Sequence, residues 1–232
     1  MVRILNLGKQ VIIFAHKRSE TYSTGMELIE LIKENGADDA HLFECSDSWQ
    51  SKGGVSRSQN QQVKDLFEHG FGIHHAGMLR KDRNLVEGLF SKGHIRVLCS
   101  TATLAWGVNL PAYGVIIKGT KVYDASAGGY KDVGIFDVQQ IFGRAGRPQF
   151  DTQGEGIIIT GHKQVDGYVR MMSEKTNVES HLIDGLDNCM NAEISAGTIT
   201  NVTEGVQWLK KTFLYQRLKK NPNHYGAKIE DI

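Results

Sequence analysis

The stretch Gln140-Ile141-Phe142-Gly143-Arg144-Ala145-Gly146-Arg147-Pro148 carries more chemistry per residue than any other part of this chain. Asp137 and Gln140 have the D-x-x-Q spacing of a helix start, in which the third helical residue reaches back to the cap. Pro148 disfavours helix at the residue before it, so a helix from Asp137 to about Arg147 is expected. On a helical wheel Val138, Ile141, Phe142 and Ala145 share an apolar arc that should face a core. Gln140, Arg144 and Arg147 fall opposite, with Gly143 and Gly146 beside them. A lone arginine near a helix end is explained by the helix dipole. Two guanidiniums beside two glycines ask for more, because each glycine costs a helix about 1 kcal/mol. The chemistry they suit is a paired phosphate clamp, with one arginine acting as a finger on a transferring phosphoryl group.

Outward from this stretch, apolar runs alternate with amphipathic ones. Residues 10–16 (QVIIFAH), 71–75, 95–99, 113–123 and 154–159 read as strands. Residues 19–35, 60–69 and 80–92 read as helices between them. That alternation predicts an α/β fold with a parallel sheet flanked by helices. Residues 37–59 are polar and irregular, a surface insertion. The cluster Asp124-Ala125-Ser126-Ala127-Gly128-Gly129 is a turn, so 113–123 and 130–136 can form a hairpin with Tyr123 and Tyr130 on opposite arms. Exposed rings there can stack on an end base pair. Beyond residue 162 the pattern turns helical, over 164–173, 178–186 and 202–220. The expected domains are therefore 1–162 and 163–232.

Open parallel sheets bind ligands at the carboxyl ends of their strands. His16 and Arg18 follow the first strand, His75, Ala76 and Gly77 the second, and Thr101 and Thr103 the third. Hydroxyls and free N–H groups at a helix start suit a phosphate, although simple capping explains any one hydroxyl. His74 and His75 are neighbours, but strand neighbours point to opposite faces. With no further ligand at metal spacing, no metal site is expected.

The 232 residues carry a formal net charge of +1, so nucleic-acid contact would have to be local rather than driven by a global basic field. Cys45, Cys99 and Cys189 are far apart and fit reduced thiols of a nuclear or cytosolic protein. No run approaches 18 apolar residues, so no membrane contact is expected. The run from Gly154 to Ile159 fails the G-x-G-x-x-G test of a dinucleotide fold. No G-x-x-x-x-G-K-[ST] loop and no D-E-x-H sequence occurs, so half of any ATP site is missing.

QIFGRAGRP at 140–148 resembles the sixth motif of superfamily-two helicases. IIFAHKR at 12–18, HHAGM at 74–78 and STATLAWGVNLP at 100–111 resemble motifs four, four-a and five. The likeness covers most of the chain and is greatest to the large DExH helicases of the spliceosomal Brr and activating signal cointegrator type. Residues 191–209 resemble the start of the winged-helix domain that follows in that family. The resemblance implies a RecA-like second motor domain. It implies ATP with Mg²⁺ in a cleft shared with an absent first RecA-like domain of the same chain, which would hold the metal. Arg144 and Arg147 would reach the γ-phosphate, Gln140 would couple them to the nucleic acid, and Gly107, Asn109 and Gly143 would face the nucleotide. His16, Arg18, His75, Ala76, Gly77, Thr101 and Thr103 would grip single-stranded or partly duplex DNA or RNA, and the Tyr123–Tyr130 hairpin would part the duplex. Movement would be 3′ to 5′, within a larger complex that serves DNA repair. The family also has cassettes that bind partners without hydrolysis, and a scaffold is the alternative reading.

Overall fold

The computed structural model describes residues 1–34, 49–110, 112–124, 128–146, 151, 153–173 and 177–228, the side chains at 49–52, 103, 106 and 124 excepted. They form two compact units, Met1–Ser173 and Glu174–Ile232. The first holds a parallel sheet of β1 (Val11–Ala15), β2 (Phe71–His74), β3 (Val97–Thr101), β4 (Gly114–Lys118) and β7 (Glu155–Ile159), in the order β2-β3-β1-β4-β7. β1 and β3 are buried along their whole length, which is why VIIFA and VLCST show little polar alternation: helices cover both faces.

Side chains identify those faces. Lys118 reaches Thr24 (2.9 Å) and Glu27 (3.1 Å) of α2 (Arg18–Glu34), and Ile4 of α1 (Val2–Asn6) lies against Gly114. Gly156 pairs in register with Val115, so it belongs to the opposite face, where the Phe142 ring of α7 (Ile135–Phe142) covers it. His74 also points that way, 2.7 Å from Glu87 of α5 (Arg80–Ser91). Phe14, Phe71 and Phe90 are fully buried in this core, each contributing roughly 1.5–3 kcal/mol.

Several elements differ from the sequence expectation for visible reasons. Within the insertion, α3 (Trp49–Ser56) is helical despite two glycines, with Val55 in the core; α4 (Gln61–Phe67) follows, and residues 35–48 lie outside the described set. The expected strand 113–123 is cut at Gly119, whose φ of +84° turns the chain out of the sheet. β5 (Lys121–Asp124) then pairs only with β6 (Gly129–Asp132), as a separate hairpin. α7 starts two residues before Asp137, with Gly134 at its cap, and ends at Phe142. Arg144 therefore lies beyond the helix, not on its polar face.

α8 (His162–Ser173) belongs to the first compact unit, its Tyr168 buried and donating to the Val133 carbonyl at 2.8 Å. The second unit contains α9 (Leu186–Ser195), α10 (Val202–Lys210) and α11 (Phe213–Lys220), with 3-10 turns at Leu182–Gly185 and Pro222–Tyr225. The long helix expected over 202–220 breaks at Lys211, because the Thr212 hydroxyl accepts from the Tyr215 N–H and starts a new helix. No helix forms over 178–181, where Glu179 and the Ser180 N–H are engaged elsewhere. Arg217 grips Glu179 with two N–H groups (3.0 and 2.6 Å), Asn221 and Tyr225 donate to the same carboxylate, and the Tyr225 hydroxyl accepts from Ser180 N–H.

Those donors, Arg217 foremost, hold the Glu179 carboxyl down to about 2. A carboxyl depressed by folding stabilises above its ordinary value, near 4.5, and loses that contribution as pH falls towards 2. The thermal stability of this unit should therefore fall as pH drops across that window. Glu179→Gln should flatten the profile there, and an unchanged slope would dissociate the network from the unit's stability.

Candidate nucleotide and nucleic-acid site

The sheet order puts the ends of β1, β3 and β2 side by side, and the strand-end candidates meet there. Ala15 and Thr101 are in register across β1 and β3, while His74 and Ser100 are in register across β2 and β3. The Gly77 N–H donates to His75 Nδ1 at 3.2 Å. A Cβ on Gly77 would lie 3.2 Å from both that nitrogen and Arg18 Nη1. Arg18, His75 and Gly77 thus form one cluster, from residues that sequence separates by about sixty positions. Burial, then Arg18 and His74, push the His75 imidazole below its ordinary value, so at neutral pH it serves as an uncharged hydrogen-bonding group. Ala76 is exposed beside it. Thr101 is only 8% exposed and offers little of its side chain to the edge. His16 stands apart, its Nε2 donating to the Gly119 carbonyl at 2.7 Å.

Sequence reading missed the support behind this edge. The Ser100 hydroxyl, fully buried, donates to the His74 carbonyl at 2.9 Å. Burial pushes the His74 imidazole down even with Glu87 as its partner. A histidine next to a strand-end histidine hints at one inward and one outward ring; nothing in the sequence hints at Glu87.

The second cluster lies beyond β3. α6 (Thr103–Gly107) follows Thr101, and Gly107 and Asn109 are exposed after it. Arg144 does not extend freely into solvent: Nε and Nη2 both donate to the Ala105 carbonyl, the former at 3.0 Å, and Nη1 approaches Asn109 Oδ1 at 3.4 Å. Ala105 belongs to the last turn of α6, where carbonyls lack helical partners, so the guanidinium caps that end. A guanidinium has five N–H donors, and two remain for a ligand. Gln140 and Gly143 are exposed on the same segment. Arg147 lies outside the described residues, as do Pro111 and Pro148.

Backbone pairing fixes the two segments together. The Ala112 N–H donates to the Arg144 carbonyl (2.9 Å) and the Gly146 N–H to the Ala112 carbonyl (2.7 Å), a lone parallel bridge. Gly146 has φ +87°, so its glycine serves the backbone turn. Close approach occurs at Gly154, where a Cβ would lie 2.5 Å from Gly146 N and 2.6 Å from the Ala145 carbonyl carbon. Backbone cannot yield as a side chain can, so Gly154→Ala should cost roughly 1–3 kcal/mol. A clear fall in the thermal midpoint is expected, and an unchanged midpoint would contradict the packing described.

Tyr123 and Tyr130 face each other across the hairpin, 56% and 61% exposed, with ring centroids 5.5 Å apart in a T-shaped pair. The donor set fits one side of a triphosphate: spare guanidinium N–H groups beside exposed Gly107, Asn109 and Gly143. Among the described residues no group of three or more His, Cys, Asp or Glu side chains is placed to hold a metal ion.

Residues 1–149 match the helicase conserved C-terminal domain, and residues 179–232 match a winged helix-turn-helix domain. The chain is 52% identical over 231 residues to activating signal cointegrator 1 complex subunit 3 of Homo sapiens, covering 97% of this chain and 10% of that protein. It is 50% identical over 233 residues to the DExH-box ATP-dependent RNA helicase DExH14 of Arabidopsis thaliana, covering 100% of this chain and 11% of that protein. The chain thus spans about a tenth of the length of the curated relatives it matches.

Proposed function

This chain belongs to the helicase conserved C-terminal domain family, and from that premise we propose that it is the second motor domain of an ATP-dependent nucleic-acid helicase. One observation carries the reading: β3 and α6 lead directly from the Arg18–His75–Gly77 edge to the Arg144–Asn109 cluster. A single short segment thereby touches both candidate ligand sites.

Arg18, His75, Ala76, Gly77, Thr101 at the end of β3 and Thr103 at the start of α6 would hold the strand backbone, and His16, which stands apart, would meet the same strand. Arg144 and Arg147 would meet the γ-phosphate from this side of the cleft, supported by Gln140, Gly143, Gly107 and Asn109. Hydrolysis of ATP with Mg²⁺, bound mainly by the first motor domain, supplies the driving free energy. The hairpin would part the duplex, and movement would run 3′ to 5′. The relatives' names support work as a subunit of a larger complex, which we place in the nucleus or cytosol and in DNA repair. Docking of Arg144 on its own domain's backbone favours a second reading, a non-hydrolysing cassette that serves as a scaffold.

Unwinding by the full-length protein on matched DNA and RNA duplexes with opposite overhangs decides between them. Strand separation that needs ATP and a 3′ overhang is expected. Partner binding with no ATP-dependent unwinding on any substrate would leave only the scaffold.

A further inference from the structure

A cleft of about 870 Å³ opens between the ends of β1, β4 and β7, the base of the hairpin and α8. Its volume lies in the range of small-molecule pockets, enough for a nucleotide. It is lined by three lysines, which at first suggests a phosphate. Each is already paired: Lys17 with Glu20 (3.7 Å), Lys118 with Glu27 (3.1 Å) and Lys121 with Asp132 (3.0 Å). An anion there would have to compete with three carboxylates.

What remains is apolar, aromatic and neutral-polar. Tyr123 and Tyr130 stand at the wall with Val122 and Ile159, and the Gln164 amide folds over Gly161. Thr160 and Thr120 share a hydroxyl contact of 2.6 Å. Either hydroxyl can donate in that contact, and a hydroxyl oxygen has a second lone pair, so Thr160 can present an acceptor to a ligand. At His16 the Gly119 carbonyl can only accept, so Nε2 carries the hydrogen and Nδ1 is left for a ligand.

We propose that this cleft binds one unpaired nucleobase at the junction of single strand and duplex, stacking it on the hairpin tyrosines and reading its edge with Thr160, His16 and Gln164. This deepens the helicase reading and rests on it: the strand-end cluster holds phosphates, and the cleft beside it holds a base. Gln164 and Thr160 are specific to the cleft and belong to none of the phosphate contacts.

The test places an abasic nucleotide at each successive overhang position of a partial duplex and measures binding to the full-length protein by anisotropy. One position next to the junction should lose about tenfold in affinity, the scale of one base stacked on an aromatic. That loss should be equal at about 50 and 300 mM salt, because no counterion is released by a base contact. The double variant Thr160→Val, Gln164→Ala, checked for fold by circular dichroism, should erase the position dependence. Tight binding with no sensitive position, or a loss that vanishes at high salt, would overturn the base pocket and leave the backbone grip standing. Failure to bind any strand would overturn both.

Discussion

Arg144→Ala and Arg147→Ala in the full-length protein are each expected to lower ATP turnover about 10³-fold or more, the scale on which a finger arginine acts. Arg144 caps α6 through the Ala105 carbonyl, and losing those charge-assisted bonds should cost roughly 1–3 kcal/mol. A lowered thermal midpoint is therefore expected for Arg144→Ala. Arg144→Lys should restore little, because an ammonium cannot present the planar fork that reaches one carbonyl twice. A twofold loss in turnover for either alanine variant would remove that arginine from the phosphate chemistry. Normal turnover in both would place hydrolysis elsewhere in the full-length protein and favour a scaffold role for this domain.

The 232-residue chain by itself is expected to turn over no ATP. Its candidate donors meet a triphosphate from one side, and its sequence lacks the glycine-rich loop with lysine that cradles the β- and γ-phosphates. Near Gly8-Lys9, the nearest approach to such a loop, Lys9 is paired with Asp151 and lies over the Tyr113 ring. Mixing the chain with ATP and a single strand should release no phosphate above the uncatalysed background. Steady turnover abolished by Arg144→Ala would show that this domain completes a site alone, and the two-domain account would fall.

The strands were legible because a sheet covered on both faces leaves runs such as VIIFA with few polar interruptions. Their carboxyl ends were legible for the same reason, and with them Arg18, His75 and Gly77. What stayed hidden depends on contacts between distant parts of the chain. Arg144 finds a backbone carbonyl at Ala105, and a carbonyl has no letter in a sequence. The D-x-x-Q spacing at Asp137 imitated a helix start, while the actual start is at Gly134, where the chain leaves the hairpin. Thr212 sits inside an unbroken amphipathic pattern, and its hydroxyl, accepting from Tyr215 N–H and donating to the Leu209 carbonyl, marks the break. Glu179 read as part of a helix, but five hydrogen bonds with the side chains of Arg217, Asn221 and Tyr225 hold Glu179 and the Ser180 N–H.

Ala112 and Ala145 meet at an isolated parallel bridge, a neck that clasps the two ends of the chain between them. β4 holds that excursion in the main sheet, between β1 and β7, and the hairpin stands outside the sheet. The hairpin's outer half, paired with no strand of the main sheet, hangs from that excursion like an exchangeable tool head. It can be lengthened, shortened or replaced with a relative's version while the neck keeps Asn109 and Arg144 in place, which offers a route to changing what the hairpin meets without rebuilding the domain.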